Sequence, residues 1–439
     1  MVRKVRPFSR KARSREEAEL LKKARRLLPA GVRSPTPSPD YAMVVREAKG
    51  SRIRDLSGNE YIDYLMGSGP LLLGHAHPEV MAAVRDALER GSSYLMLNET
   101  AVRLAEKIVE AVPCAEKVCF NSTGSESTLF AMRLARAYRK RDKILKFEGG
   151  FHGMNDYALM GNQWTQGPLP FPAAVPNSAG IPKSIESEVL VAPFNDIETT
   201  AELIAKNADD LAGVIVEPMQ RTIPPIPGFL QELRRVTAER DIPLIFDEVV
   251  TGFRLALGGA QEYYGVVPDL CALCKGIASG HPISVLCGRE DLMQLTDPTR
   301  VGMGKHVAQT GTFSNNPLST AAALATIGVL EREGTYARLH AMGRRLMEGL
   351  RKLLSDAGIP ARVSGEPPAF QVWFTEREIH DFRSTLSADH GKSLRFSELL
   401  LDRGILKAHE KFFVSLAHSD EDIELTLEAF AAAIDELAA

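Results

Sequence analysis

The chain has 439 residues, a formal net charge of -3 and a pI near 6.4. Its length exceeds the usual size of one domain, so two or three lobes with a large core are expected. The small charge gives no general reason to expect a nucleic-acid partner, and no apolar run approaches the roughly 20 residues of a membrane-spanning helix, so a soluble, cytoplasmic protein is predicted.

The chain begins with a basic segment. Its first 26 residues are rich in Arg and Lys, and Ser14 followed by Glu17 is a typical helix start. The acids Glu16 and Glu17 argue against a transit peptide, so a solvated basic helix is favoured. Prolines then mark an irregular connector over residues 29–40, and residues 44–64 alternate apolar and polar side chains as strands do.

From about His75 onward, helical patterns alternate with strand patterns. Helices are predicted over residues 78–90 and 99–112, and further helical stretches separate most of the strands. This alternation predicts an α/β fold with a mainly parallel central sheet covered by helices on both faces. Ligands of such sheets bind at the carboxyl ends of the strands. The predicted strands are 117–120, 143–147, 189–192, 212–217, 242–247, 270–274 and 283–288.

The last part of the sequence predicts a second, smaller domain. After Asn316 and Pro317, an Ala-rich helical run over residues 318–333 leads to an α+β region that ends in an amphipathic helix. The predicted segments are residues 1–74, whose helix and strands pack with the small domain, residues 75–317, the large domain, and residues 318–439, the small α+β domain.

Two of the predicted strand ends carry groups of opposite charge. Lys275 follows the strand that begins at Leu270, and Asp247 ends the strand that begins at Ile242. An amine and a carboxylate so placed suit pyridoxal 5'-phosphate, because the lysine can form a Schiff base with its aldehyde and the aspartate can keep its pyridine nitrogen protonated. Neither residue alone would carry this prediction.

The cysteines predict no metal site. Five cysteines, an odd number without a secretory leader, favour a reducing compartment with free thiols. Cys271 and Cys274 have the spacing of a metal or redox motif, but no second pair accompanies them and the residues between them are apolar. A buried strand is the favoured interpretation.

Turns after other predicted strands carry phosphate-binding, aromatic and acidic groups. Residues 121–126 place Gly124 among hydroxyl residues at a helix start, where free N–H groups can bind a phosphate. Helix capping would explain the same residues. Residues 151–153 and Glu217 follow two more strands, and residues 311–317 form a hydroxyl-rich turn; packing or capping would explain each of them alone.

In their order along the chain, these segments resemble the class III aminotransferases of the fold-type I pyridoxal phosphate superfamily, in the branch that includes glutamate-1-semialdehyde 2,1-aminomutase. The resemblance runs from about Pro29 to the C-terminus, and several independent motifs agree on one mechanism. The matching segments are Leu73 to His75 with His77-Pro78, Asn121 to Glu126, Phe151 to Gly153, Ala179 to Lys183, Glu217-Pro218, Asp247 to Val249, Thr251 to Arg254, Lys275, Gly311-Thr312, and Ser415 with Ala417 to Ser419.

The resemblance implies a role for each matched residue. Lys275 is the Schiff-base lysine and proton shuttle, Asp247 pairs with the pyridine nitrogen, and Phe151 and Val249 cover the two faces of the ring. Thr312 reaches the phosphate of the neighbouring subunit, so a homodimer with shared active sites is implied. The other implied cofactor contacts are Ser122, Thr123, Gly124 and Ser125 at the phosphate, Glu217 near the phenolic side, and His152.

The substrate side departs from the resemblance. Where the family has an arginine for the substrate carboxylate, this chain has Pro37, and Arg33 is displaced from that position by four residues. A bulky aromatic residue of the family is replaced within Gly67-Ser68-Gly69, and the segment after the lysine contains His281. The predicted substrate contacts are Arg33, Ser68, His281 and Lys411.

Because the departures line the substrate side while the cofactor side matches, an aminotransferase is expected. It would move an amino group from an amine or amino acid to a keto acid by a ping-pong mechanism, and a β-amino acid, a D-amino acid or a primary amine fits as donor. The alternative is the intramolecular transfer of glutamate-1-semialdehyde 2,1-aminomutase. A decarboxylase would share the same motifs, whereas a non-enzymatic protein on this fold would lack the lysine or the aspartate.

Overall fold

A computed structural model describes residues 8–29, 36–161, 169–304, 306–408 and 410–439. The chain forms two compact units. The first unit combines Met1–His77, Gly334–Glu378 and Ser387–Ala439, and the second combines Pro78–Glu333 and Ile379–Leu386. The boundaries predicted from the sequence lie at residues 75 and 318. In the structure, the helix after Asn316 belongs to the larger unit rather than to the smaller one.

Helices and strands alternate through most of the chain. The strands are β1 (Val45–Lys49), β2 (Arg52–Asp55), β3 (Glu60–Asp63), β4 (Lys117–Asn121), β5 (Lys143–Phe147), β6 (Val189–Ala192), β7 (Leu211–Val216), β8 (Leu244–Glu248), β9 (Leu270–Leu273), β10 (Ser284–Gly288), β11 (Arg362–Glu366), β12 (Ala369–Trp373), β13 (Ile405–Leu406) and β14 (Lys411–Phe413). The helices are α1 (Arg15–Leu27), α2 (Pro78–Glu89), α3 (Glu99–Ala111), α4 (Gly124–Arg139), α5 (Ile197–Lys206), α6 (Phe229–Ala238), α7 (Gly259–Tyr264), α8 (Glu290–Met293), α9 (Pro317–Leu330), α10 (Thr335–Asp356), α11 (Phe382–Thr385), α12 (His390–Leu401) and α13 (Asp420–Ala438).

The second unit is built on a seven-stranded sheet with the order β4-β10-β9-β8-β7-β5-β6. Neighbouring strands from β9 to β6 are parallel, whereas β10 is antiparallel to both β4 and β9. The predicted mainly parallel sheet is therefore confirmed, and the reversed β10 is a feature that the sequence did not reveal. Every residue of β7, β8 and β9 is buried, as expected for strands covered on both faces.

Alternate residues of the strands pack into two different hydrophobic cores, because successive side chains point to opposite faces of a sheet. Phe147 and Val216 pack with side chains of α5 and α6 on one face. Ile144 and Ile215 pack with α4 and α8 on the other. Helix α9 is apolar around its circumference and packs against α2 and α3, which explains its burial. No helix of the described ranges is long and apolar enough to span a membrane.

The first unit contains two smaller sheets. One has the order β1-β2-β3-β13 and the other the order β11-β12-β14. Because β13 pairs in parallel with β3, the N-terminal strands and the C-terminal region share a sheet. Helix α13 packs on α10 and α12, and Arg52 forms a 2.5 Å ion pair with Asp422 at its first turn.

Candidate active site

Four neighbouring parallel strands of the second unit bring the predicted site residues to one edge of the sheet. In the order of the sheet, β9 leads into Lys275, β8 contains Asp247, β7 leads into Glu217, and β5 leads into Phe151 and His152. Carboxyl ends of parallel strands meet at one edge, where ligands of α/β proteins bind. The fold thus brings together residues that are far apart in the sequence.

Lys275 is held in an environment that favours its neutral form. It opens a single 3-10 turn directly after β9 and Cys274. Burial lowers the pKa of the Lys275 amine, and the positive charge of Arg221 lowers that pKa further, against the opposite influence of Asp247 and Glu217. A lysine with a lowered pKa is a better nucleophile and base near neutral pH.

Asp247 is a buried carboxylate that His152 holds in place. The two side chains are only 4% and 1% exposed, and Asp247 Oδ2 lies 2.8 Å from His152 Nδ1. Asp247 Oδ1 accepts a hydrogen bond from the backbone N–H of Val249, and the carbonyl of His152 accepts one from Thr128. The imidazole therefore orients the carboxylate, which sequence reasoning had not recognised when it made His152 a cofactor contact.

The first turn of α4 has the geometry of a phosphate site. Thr123 caps the helix with Glu126 in a reciprocal capping box, and one carboxylate oxygen of Glu126 accepts the N–H groups of both Ser122 and Thr123. The N–H groups of Gly124 and Ser125 have no acceptor within the helix, because they belong to its first turn. Among the four predicted phosphate contacts, these two amides are best suited to an anion.

Two neighbouring segments pack closely against this first turn. A Cβ atom on Gly153 would lie 2.6 Å from Ser125 Oγ, and one on Gly124 would lie 2.8 Å from a methyl group of Val249. Ser125 Oγ also accepts the N–H of Met154 at 3.1 Å. Glycine is required at both positions because any side chain would separate the helix from the segments that carry Phe151 and Asp247.

Arg221 is a site residue that sequence reasoning missed. It follows β7 in a left-handed conformation with φ of 60°, and its backbone N–H donates to the Glu217 carboxylate at 3.0 Å. The Arg221 guanidinium lies 3.9 Å from Glu217 Oε1 and 5.7 Å from the centroid of the Phe151 ring. Nothing in the local sequence signals this arrangement, which depends on contacts between strand ends.

Lys146 is a second missed residue. It lies in β5, is 1% exposed, and its ammonium donates to three carbonyl oxygens of the following segment, those of Gly150, Ala158 and Met160, at 3.0, 2.9 and 2.5 Å. Burial lowers the pKa of Lys146 to about 7, while Glu217 and Asp247 raise it. The available signal was a lysine inside a buried apolar strand. Lys146 fixes the segment that carries Phe151 and His152.

The remaining predicted residues are distributed over both units. Phe151 is 41% exposed, and Thr312 is exposed in the turn before α9. His281 lies in the second unit, six residues beyond Lys275, and burial lowers its pKa. Ser68, which is exposed, and Lys411, which is buried in β14, belong to the first unit. Arg33 lies outside the described residues.

The cysteine motif is divided by the fold. Cys274 Sγ donates a hydrogen bond to the carbonyl of Ile283, whereas Cys271 lies in the core. The Cys271 sulfur is instead grouped with those of Cys114 and Cys287, all within 4.8 Å of one another. Cys271 and Cys287 are directly opposed in the β9–β10 register.

The donor set at the sheet edge fits pyridoxal phosphate. One unit contains a half-buried amine of lowered pKa, a buried carboxylate and a helix N-terminus. These groups suit the aldehyde, the ring nitrogen and the phosphate of the cofactor, respectively. Phe151 offers an accessible ring for stacking.

Comparisons with known proteins agree with this arrangement. The family model Aminotransferase class-III matches residues 34–434. The glutamate-1-semialdehyde 2,1-aminomutase of Methanosarcina acetivorans is 42% identical over 419 residues, which cover 94% of this chain and 96% of the relative. Other curated relatives of the same name are 39–43% identical.

Solved structures give the same family. An omega-transaminase from Sphaerobacter thermophilus superposes with a TM-score of 0.91 and 34% identity, over 96% of this chain and 98% of that one. A transaminase with PLP bound superposes with a TM-score of 0.88 and 28% identity, over 97% and 99% of the two chains. The predictions of family, fold type, cofactor and enzyme class are confirmed: the chain belongs to the class III aminotransferase family and is a pyridoxal phosphate-dependent enzyme of fold type I.

Proposed function

We propose that the enzyme is an aminotransferase that moves an amino group from a donor to a separate keto acid. The observation that carries the proposal is Pro37, which occupies the position where the family resemblance places an arginine for the carboxylate of glutamate-1-semialdehyde. Proline offers no charge at that position. The similarity to the Sphaerobacter thermophilus omega-transaminase supports the same assignment.

The residues at the sheet edge have separate tasks in this proposal. Pyridoxal phosphate, when bound, supplies an electron sink for the carbanion formed at the substrate Cα. Lys275 would hold the cofactor until the substrate amine displaces its Nζ, and the freed Nζ would then remove the Cα proton and return a proton to the cofactor side. Asp247 keeps a negative charge at the ring nitrogen, and His152 fixes the orientation of Asp247. The amides of Gly124 and Ser125 would bind the phosphate, and Phe151 would stack on the ring.

We further propose a homodimer in which Thr312 reaches the partner's cofactor phosphate. Apolar side chains on the second unit support an interface, since Tyr94, Leu95, Met96 and Leu97 are exposed in succession and Phe313 next to Thr312 is 65% exposed. Sedimentation of the loaded enzyme would give a dimer, and Thr312→Val would release the cofactor roughly 10–100-fold more readily. An active monomer would contradict this assembly.

The second candidate is glutamate-1-semialdehyde 2,1-aminomutase. The names of the curated relatives favour it over an aminotransferase, because relatives of 39–43% identity carry that name over nearly the whole chain. In that reaction the amino group returns to the same carbon skeleton, so no external acceptor is consumed.

One experiment separates the two candidates. The loaded enzyme is mixed with a panel of amines and amino acids until its visible absorbance bleaches, and pyruvate or 2-oxoglutarate is then added. We expect the keto acid to restore the absorbance, and we expect isomerisation of glutamate-1-semialdehyde to be at least roughly a hundredfold slower than this transfer. Efficient formation of 5-aminolevulinate without an acceptor would establish the aminomutase instead. Release of carbon dioxide would indicate a decarboxylase.

A further inference from the structure

Arg221 places a positive charge beside the Phe151 ring at the carboxyl edge of the sheet. It follows β7, which lies next to β8 in the sheet, so it belongs to the same edge as Asp247. Its guanidinium lies 5.7 Å from the centroid of the Phe151 ring, and its charge acts on Lys275. The arginine therefore lies near the aromatic ring of the site, and its charge acts on the reacting amine.

The turn that carries Arg221 is firmly held. The φ of 60° at Arg221 is uncommon for a residue other than glycine, and such conformations persist where surrounding contacts fix them. Here the N–H of Arg221 donates to Glu217, and Gln220 Nε2 donates to the carbonyl of Glu148 at 2.7 Å. A β-bridge between Gln220 and Ile223 closes the turn. The direction in which the Arg221 side chain leaves the backbone is thus set by the fold.

Solvent can reach Arg221 but not the other cation that acts on Lys275. Within the described ranges, Arg221 and Arg254 are the arginines whose charges lower the pKa of the Lys275 amine. Arg254 is 1% exposed, and its Nε donates to the carbonyl of Val250 at 2.9 Å. The Arg221 side chain is 36% exposed. Because a substrate enters from solvent, Arg221 is the more accessible of these two cations.

We infer that Arg221 binds the carboxylate of the substrate. This inference deepens the proposed function and rests on it: amino acids and keto acids, rather than simple amines and aldehydes, become the substrate class. The guanidinium fork matches a carboxylate with two parallel hydrogen bonds. Glu217 holds the arginine from the protein side, at 3.9 Å from the guanidinium and with a hydrogen bond to its backbone.

A binding experiment tests the inference without turnover. Propanoate and its neutral analogue propanamide are titrated against the loaded enzyme by calorimetry, using the wild type, Arg221→Gln and Arg221→Lys. Arg133→Gln is the matched control, because Arg133 also places its guanidinium over a phenylalanine, 5.2 Å from the Phe130 ring, but on α4. Visible absorbance of the bound cofactor, retained in each variant, confirms that the cofactor site is assembled.

We expect Arg221→Gln to weaken propanoate binding roughly 10–100-fold and to leave propanamide binding unchanged. The propanoate affinity of Arg221→Lys should lie between those of the wild type and Arg221→Gln, because an ammonium keeps the charge but lacks the planar fork. Arg133→Gln should match the wild type. Equal propanoate affinity in the wild type and Arg221→Gln would overturn the inference.

A kinetic experiment separates this inference from the proposed function. The amine-loaded enzyme is mixed with pyruvate or with propanal, which lacks the carboxylate. We expect Arg221→Gln to lower kcat/KM for pyruvate roughly 10–100-fold more than kcat/KM for propanal, because the altered charge near Lys275 acts on both reactions whereas the lost carboxylate contact acts on pyruvate alone. Equal losses for both acceptors would overturn the role of Arg221. If the wild type transferred to no external acceptor, the proposed function would fail, while the propanoate titration would still report on Arg221.

Discussion

Lys146 within β5 is buried, Lys275 directly after β9 is half-buried, and the two side chains are held in opposite ways. Lys146 in β5 donates to three carbonyl oxygens within 3.0 Å. Lys275 after β9 donates no side-chain hydrogen bond to any residue that the structure describes, and its surroundings act on it through burial and charge. The Lys146 amine is occupied by structural hydrogen bonds, whereas the Lys275 amine stays available for chemistry.

The comparison shows that burial alone does not identify a reactive lysine. Burial lowers the pKa of both amines. The acceptors around Lys146 tie its nitrogen to the segment from Gly150 to Met160, so its contribution is structural. The neighbours of Lys275 are the charged side chains of Arg221, Asp247 and Glu217, which tune an amine without occupying it.

The largest effect is expected from removing the reactive amine. Lys275→Ala should lower turnover by at least about a thousandfold and abolish the visible absorbance of the bound cofactor, since nucleophile and base are lost together. Its free energy of unfolding should change little. Steady-state kinetics, absorbance and denaturant unfolding check this. An active Lys275→Ala enzyme would contradict the assignment of Lys275 as the reactive lysine.

The next largest effect is expected from removing the charge of Asp247 on β8. Asp247→Asn should lower kcat roughly 100–1000-fold, because a preorganised charge next to the ring nitrogen is lost. His152→Gln should lower kcat less, roughly 10–100-fold, because it removes only the group that orients Asp247. Pre-steady-state rates of the donor half-reaction measure both, and a larger loss in His152→Gln would reverse the assigned roles.

The structural lysine should show the opposite pattern. Lys146→Met leaves three buried carbonyl oxygens without their donor, so the free energy of unfolding should fall by about 1–3 kcal/mol, with weaker cofactor retention but measurable turnover at saturating cofactor. Lys143→Met in the same strand is the matched control, because Lys143 forms an ion pair with Asp210 near the surface. Similar unfolding curves for both variants would contradict a structural role for Lys146.

The sequence predicted those parts of the molecule that local patterns determine. The apolar runs of β7, β8 and β9 are buried on both faces, so their positions and the residues at their ends, Asp247 and Lys275, could be predicted. The direction of β10 could not, because its apolar run has no feature that distinguishes an antiparallel strand. The compact units divide after Glu333, beyond the predicted boundary at residue 318, because the continuous apolar helix α9 packs with α2.

The missed site residues depend on contacts between distant segments. Arg221 is directed by a left-handed turn and by Glu217, and the role of Lys146 depends on the path of the segment after β5. His152 was predicted to contact the cofactor, but its bond to Asp247 joins the ends of β5 and β8, which no sequence spacing reveals. Sequence patterns identified the chemical groups, whereas the fold determines which group acts on which.

The smallest expected effect is a shift in pH dependence. Capture of pyridoxal phosphate by the apoenzyme requires the neutral form of Lys275, and that fraction rises as the pH passes the pKa. Because burial and Arg221 lower this pKa below the ordinary value of 10.5, the rising limb of the capture rate should lie below pH 10.5. Arg221→Gln should move the limb to higher pH, and Arg133→Gln should not. Stopped-flow capture rates measure the shift; a limb unmoved in Arg221→Gln would contradict this tuning.

The most direct test of the different roles of Lys275 and Lys146 is to identify the lysine that carries the cofactor. The loaded enzyme is reduced with borohydride, which makes the carbon–nitrogen link permanent, and is then digested and mapped by mass spectrometry. The structure predicts the added mass on the peptide that contains Lys275, with the peptide that contains Lys146 unmodified. Modification at Lys146, or at another lysine while Lys275 stays unmodified, would contradict the account.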